Sequence, residues 1–368
     1  MKRYFLHTIA LTMLLSACNK ETQMDIISDK MIEFGLSEVQ LEGESRGSKP
    51  INELPDGSSF GVFGYCLAQR TLEDNTLDPS TGPIPWDSKK VFIKPTLFYQ
   101  TEVEYSNGVC SYNTPVPWFA PADYLYSFFA YYPCDPNMGF SMISNQETFG
   151  APKIKFTMPV GGANSEDYDL NQHEIPDAMV AQEIDVTRGD GTVPLQFYHI
   201  LTGLNFQVNN YNENLEDPTL SKQLIIHSLK LRGTFYKSIT INFDHSFDYP
   251  NETYKGTYSL LSDSKDDDIA IPAGTSVSEI GRTLLLVSNI MQTGKENGYL
   301  GDLYLDIEYT FGDHYDNKTF KRPENFLPAG GTVYTAQLNF VGDAFVLNFV
   351  VDNDYKWEHE GDSDITFE

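Results

Sequence analysis

Apolar residues recur at every second position through most of this chain, the period of a half-buried β-strand. Ile32, Phe34 and Leu36 alternate with Met31, Glu33 and Gly35. Ile154, Phe156 and Met158 stand opposite Lys153, Lys155 and Thr157. Further stripes run through Val193, Leu195 and Phe197, through Leu204, Phe206 and Val208, and through Ile239, Ile241 and Phe243. A long stripe joins Leu303, Leu305, Ile307, Tyr309 and Phe311 against Tyr304, Asp306, Glu308 and Thr310. Tyr334, Ala336, Leu338 and Phe340 form another. Gly, Pro, Asn and Asp punctuate these runs, and 20 prolines oppose long helices. The pattern predicts an all-β chain of many antiparallel strands arranged in sandwiches. Residues 123–133 are apolar on both faces, which predicts a strand buried between layers.

The carboxy-terminal tail keeps the alternation but sharpens its contrast. Phe345, Leu347, Phe349, Val351, Tyr355 and Trp357 share one edge. Asp352, Asp354, Glu358, Glu360, Asp362 and Asp364 share the other, with Lys356 among them. Two strands with a break near Asp352-Asn353 or Gly361 fit this run. A chain ending in such a strand needs a sheet to pair with, its own or a neighbour's.

The amino terminus has a different pattern. Lys2-Arg3 precede an apolar run from Tyr4 to Leu15, and Leu15-Ser16-Ala17-Cys18 follows. That is a charged start, a short apolar stretch and a small-residue ending at cysteine, the pattern of a bacterial lipoprotein export signal. It predicts removal of residues 1–17 and lipid on Cys18, each buried CH₂ adding roughly 0.8 kcal/mol of anchoring. Residues 18–30 read as a polar tether. The expected folded regions are 31–187 and 188–368, divided in the polar, glycine-containing stretch 183–192, although the length also allows one large β-domain.

Composition narrows the partners. The formal charge is −27, and removal of Lys2 and Arg3 makes it more negative still, so nucleic acid and anionic lipid are poor partners. Of four cysteines, Cys18 is assigned to lipid, Cys66 reads as a buried thiol, and a Cys110–Cys134 bridge is left open.

Catalytic chemistry is thin. Gly57-Ser58-Ser59-Phe60-Gly61 matches G-x-S-x-G, but a loop precedes it and a strand-like run follows, the reverse of a nucleophile elbow. Asp352-Asn353-Asp354 opens like a calcium loop and fails at Lys356. His199 and His227 lie in apolar strands, where a satisfied structural role is expected. Neither a metal site, a cofactor site nor a catalytic residue is assigned.

Several segments, taken in order, resemble the fimbrillin-like proteins of Bacteroidales, the subunits of type V pili. They are the lipobox at Cys18, the strand Ile32–Leu36, Arg46 in its loop, and Phe60-Gly-Val-Phe-Gly-Tyr65. Pro117-Trp118 leading into 127–133, Asp177-Ala-Met179, Phe197-Tyr-His199 with 201–204, and 326–330 with Tyr334 complete the set. The resemblance implies two transthyretin-like antiparallel β-sandwich domains in tandem and a non-enzymatic pilus subunit at the outer membrane. It also implies assembly with other subunits by donor-strand exchange. An extracellular arginine-specific protease cuts at Arg46, residues 31–41 leave, and a neighbour's 345–367 fills the groove by strand addition. The exchange residues are then Ile32, Phe34, Leu36, Phe345, Leu347, Phe349, Val351, Tyr355 and Trp357. The competing readings are a pilus anchor or tip, a glycan binder stacking sugars on Trp86, Trp118 or Trp357, and a secreted hydrolase, which the missing motifs disfavour.

Overall fold

A computed structural model describes residues 26–36, 54–66, 83–119, 124–158, 168–169, 175–188, 191–214, 216–217, 221–243, 246–248, 252–261, 268–278, 280–281, 283–287, 303–323, 326, 328 and 330–351. Regular structure there is almost entirely β. The first strands are β1 (Ile26–Met31), β2 (Phe34–Leu36) and β3 (Ser58–Cys66), followed by the helical turn α1 (Trp86–Lys89) and a 3₁₀ turn over Lys90–Phe92. Then come β4 (Phe98–Ser106), β5 (Val109–Ser111), β6 (Pro117–Phe119), β7 (Tyr126–Tyr132), β8 (Phe140–Met142) and β9 (Lys153–Thr157). Next are β10 (Tyr168–Asp169), β11 (Met179–Val186), β12 (Val193–Leu195), β13 (Phe197–His199) and β14 (Thr202–Asn210). They are followed by β15 (Leu224–Tyr236), β16 (Ser238–Asn242), β17 (Ser246–Asp248), β18 (Thr253–Leu261) and β19 (Ile269–Ile271). The chain closes with β20 (Thr275–Val277), β21 (Leu284–Leu286), β22 (Leu303–Phe311), β23 (His314–Lys321), β24 (Val333–Val341) and β25 (Ala344–Val351).

The sheet β13-β11-β7-β3-β4-β5 organises the first half. Its inner strands β3 and β7 are apolar on both faces because each face meets a core. Phe60, Val62, Phe128 and Ala130 enter one core with Ile32, Phe34, Trp118, Val193 and Leu195. Phe63, Tyr65, Phe129 and Tyr131 enter the other, with Ile154, Phe156, Ile239 and Ile241. The stretch apolar on both faces is thus the central strand expected of it. Two glycines in β3 make this packing fit. A Cβ on Gly61 would lie 2.3 Å from the Tyr131 ring, and one on Gly64 would lie 2.5 Å from Phe98.

In the second half two sheets share one core. One is β10-β18-β15-β22-β23 with β19 beside β15; the other is β20-β14-β24-β25 with β21 beside β14. Leu229, Leu231, Leu305 and Ile307 of the first pack with Leu204, Phe206, Ala336 and Leu338 of the second. Most strand pairs are antiparallel, but β2–β12, β10–β18 and β14–β24 run parallel.

Three points of the sequence reading meet the strand pairings here. First, strands pair across the polar stretch near 187/188: β12 with β2 and β13 with β11. The hairpin β16–β17 also returns to pair with β9. Polar composition marks a surface turn, which a sheet crosses freely when the next strand pairs back. Second, β1 lies inside the stretch read as tether. Third, Cys66 is the buried thiol its sequence suggested, and Cys110 and Cys134, whose bridge the sequence left open, are free thiols as well. Cys110 lies in β5 and Cys134 just past β7, with β3 and β4 between those strands. Three strand spacings come to roughly 14 Å, beyond the ~7 Å that a disulfide spans between Cα atoms.

Burial also sets an alkaline limit. It pushes the Tyr132 hydroxyl from 10.0 up to about 12, and the Cys66 thiol from 9.0 up to about 11. The folded chain keeps these protons after the unfolded chain has released them. The stability they contribute is whole below the unfolded values and falls as pH rises through the folded ones. The melting temperature is expected to fall across that window, in step with the appearance of tyrosinate absorbance. A flat profile there would contradict the burial.

Candidate functional site

Residues 26–36 form a strap across the first half, held by two short ladders. β1 runs antiparallel to β6, with Ile26 opposite Phe119 and Met31 opposite Pro117. β2 runs parallel to β12, with Phe34 opposite Val193 and Leu36 opposite Leu195. Between them the Ile32 N–H donates to the Val116 carbonyl at 2.8 Å, and the Val193 N–H donates to the Glu33 carbonyl at 2.8 Å. Alternation turns Ile32 (0% exposed) and Phe34 (4%) inward. The exposed Met31 and Glu33 face out.

Side chains hold this strap more than backbone does. The Phe34 ring lies edge-on to Phe98 at 5.4 Å, to Phe128 at 5.5 Å and to Tyr112 at 6.0 Å. The Tyr112 hydroxyl donates to the Ile32 carbonyl at 2.6 Å and accepts from the Val116 N–H at 3.3 Å. One phenol therefore ties the strap to the loop ahead of β6. Burial raises its pKa above the usual 10.0 and keeps it a donor. Fully burying a side chain the size of Ile or Phe contributes roughly 1.5–3 kcal/mol. A unit with few ladder bonds and two buried plugs is of the kind that opens locally before the rest unfolds. Nothing in the sequence around Tyr112 marks it as a strap contact. It sits in a polar turn, and the strap reaches it from far away in the chain.

The other half of the expected exchange lies at β25. It pairs with β24 over eight positions, Val341↔Ala344 through Tyr334↔Val351. Phe345 packs against Tyr309 at 4.9 Å and Phe340 at 4.7 Å. Phe349 stacks on Phe326 at 3.7 Å. Leu347 and Phe349 help line an apolar pocket of about 20 Å³ with Leu204, Phe206 and Leu305. Cys18, Arg46, Tyr355 and Trp357 lie outside the described residues.

Other candidate chemistry resolves into structure. Trp86 and Trp118 are buried, so neither ring offers a platform to a sugar; Trp357 lies outside the described residues. Ser58 and Ser59 open β3 after a turn, without the helix that a nucleophile elbow requires. His199 Nδ1 sits 2.9 Å from Asp177 Oδ2 in a buried pair, joining two segments that the sequence marks separately. His227 is held between Asp268 at 3.0 Å and Thr310 at 2.7 Å. Among the described residues no group of three or more His, Cys, Asp or Glu could hold a metal ion. No helix among them is long and apolar enough to cross a membrane.

Comparison with known proteins gives the chain relatives. A sequence model of a family described as fimbrillin-like matches residues 56–349. A fimbrial protein from Bacteroides vulgatus ATCC 8482 is 19% identical, with a TM-score of 0.55 over 80% of this chain and 92% of that one. The likeness at that identity is one of fold. The fimbrial anchor protein Mfa2 from Porphyromonas gingivalis is 11% identical, with a TM-score of 0.32 over 80% of this chain and 89% of that one. No curated protein matches the sequence.

Proposed function

The chain belongs to the fimbrillin-like family, and from that premise we propose that it is a non-enzymatic structural subunit of a surface fimbria. It reaches the outer membrane as a lipoprotein anchored through Cys18 and joins other subunits by donor-strand exchange. An extracellular arginine-specific protease cuts after Arg46, which lies between the strap and β3 in the chain. The strap then leaves with Ile32, Phe34 and Leu36, and a neighbour's alternating carboxy-terminal segment takes its place. The observation that carries this reading is the strap: a terminal segment whose side chains plug a core while its backbone makes only two short ladders. The vacated groove keeps the β6 and β12 edges and the Phe98, Phe128 and Tyr112 rings, which suits an incoming strand with apolar residues at alternate positions.

The donor carries Phe345, Leu347, Phe349, Val351, Tyr355 and Trp357. A donor role for the first four requires β25 to leave β24 and Phe345 to leave the Tyr309 and Phe340 rings. Low-dose trypsin on the full chain tests the whole reading. The expected result is a cut after Arg46 followed by concentration-dependent, SDS-resistant ladders on an unboiled gel, absent from the Arg46→Ala chain. A chain cut there that stays monomeric would overturn the exchange mechanism. Stable monomer with no cut at Arg46 would overturn the stalk role.

A further inference from the structure

The sheet β20-β14-β24-β25, with β21 beside β14, contains no Asp, Glu, Lys, Arg or His in any strand. The chain around it is 21% charged residues. The sheet facing it carries His227, Lys230, Arg232, Asp306 and Glu308 on its outer side, with Arg232 bonded to Asp306 at 2.6 Å. The other sheets of four or more strands carry charge as well.

On the side of the uncharged sheet away from Phe206 and Leu338, a row of amides, from half-buried Gln337 to buried Asn209, is ordered without ions. Gln337 Nε2 donates to Gln207 Oε1 at 3.1 Å, Gln207 Nε2 to Asn209 Oδ1 at 3.1 Å, and Asn209 Nδ2 to Asn339 Oδ1 at 2.6 Å. Beside this amide row stand Val341, Val346 and Val350, which are 52%, 51% and 38% exposed. β25 is the last strand of its sheet and among the described residues pairs with β24 alone. Its register is unbroken, with no bulge, proline or charge along it. Edge strands that stay solitary normally carry one of those blocks.

We propose that the β25 edge of this sheet, with the exposed side chains of Val346, Asn348 and Val350 beside it, forms a self-association surface, whose occupant is the same edge of a second, uncut copy. A chain of charge −27 repels its own kind, so two copies meet at least cost along the uncharged stretch 344–351, which Asp343 and Asp352 flank at its two ends. The edge is also self-complementary. In an antiparallel pairing about a two-fold axis centred on Asn348, Val346 of each copy faces Val350 of the other and Asn348 faces Asn348. Valine meets valine and amide meets amide, and the sheet continues across the pair. This contact needs no cleavage and no strand removal, so it stands apart from donor-strand exchange.

Ionic strength supplies the test. Raising salt from about 0.01 M to about 1 M shortens the screening length from roughly 30 Å to roughly 3 Å. In sedimentation velocity the uncut full chain is expected to shift from monomer towards an SDS-sensitive dimer over that range. The double variant Val346→Glu, Val350→Glu sets carboxylates against one another across the axis. It should weaken the dimer about tenfold or more with its melting temperature unchanged. Asn348→Cys should give a disulfide-linked dimer at high salt that the parent chain does not give. The proposal fails if the parent is monomeric at every salt concentration, or if the glutamate variant dimerises as tightly. It fails too if Val350→Cys is shielded from maleimide in the monomer, which would mean that the chain covers this face itself. A dimer that forms only after cutting at Arg46, and resists SDS, also overturns it and points back to strand exchange.

Discussion

Phe34→Ala is expected to free the amino-terminal strap while the rest of the chain stays folded. The substitution removes a ring in contact with Phe98, Phe128 and Tyr112, at a site only 4% exposed. Truncating a buried Phe costs about 3–5 kcal/mol when its surroundings cannot collapse. The strap has only the short β1–β6 and β2–β12 ladders to resist opening. Its open population should therefore rise by roughly two to three and a half orders of magnitude. Hydrogen exchange at Ile32, at Val193 and along β2 reads this directly. Tyr112→Phe keeps the ring and removes the hydroxyl that serves the Ile32 carbonyl; about 1–2 kcal/mol is expected from leaving that group unpaired. Met31→Ala, at an exposed position, should stay within about 0.5 kcal/mol. If Phe34→Ala melted the strap and the central sheet in one transition, the strap would not be a separable unit. If exchange at β2 did not change, Phe34 would not be its anchor.

Lys89→Ala should be nearly as costly, for an electrostatic reason. Lys89 is fully buried at the end of α1, and its ammonium donates to the Leu125 carbonyl at 2.8 Å and to Asp185 Oδ1 at 3.4 Å. Asp185 also accepts the Trp86 N–H, at 2.8 and 3.0 Å to its two oxygens. It holds a left-handed φ of 60° where β11 shifts register against β7. One ion pair thus pins the helical turn to an irregularity in the central sheet. Burial pulls the Lys89 pKa below 10.5, and Asp185 opposes that pull by favouring the charged form. Removing the lysine leaves a cavity, an unpaired carbonyl and a half-buried carboxylate. About 3 kcal/mol is expected, the low end for breaking a buried pair, because Asp185 retains some solvent. Asp185→Ala should cost at least as much, since it strands a charge with no solvent at all. Denaturant unfolding of both single variants and the double variant measures the coupling. Additive effects, or a Lys89→Ala loss within about 0.5 kcal/mol, would show that the pair does not hold the turn.

The strap shows how far local pattern reaches. Its alternation marked Ile32 and Phe34 as inward-facing from three or four neighbouring residues, and they are. That β2 would lie parallel to β12, far along the chain, left no trace in either segment. Period-two alternation encodes which face is buried and says nothing about which strand lies alongside. Polar composition likewise marked 183–192 as surface, but it carries no record of the strands that pair across it. Asp177 and His199 each belonged to a recognisable motif, yet their contact needed the β11–β13 pairing to bring them together.

By itself, then, the sequence determined the all-β class, the central strand apolar on both faces, the inward stripes and the family, since each rests on short-range periodicity or on the order of local motifs. Tertiary structure alone decided the parallel β2–β12 pairing, the Tyr112 tie, the free thiols of Cys110 and Cys134, the Lys89–Asp185 pin and the uncharged sheet with its β25 edge. Those depend on which distant segments win the competition to pair, and backbone hydrogen bonds that are nearly identical in every strand leave that choice to packing across the whole core.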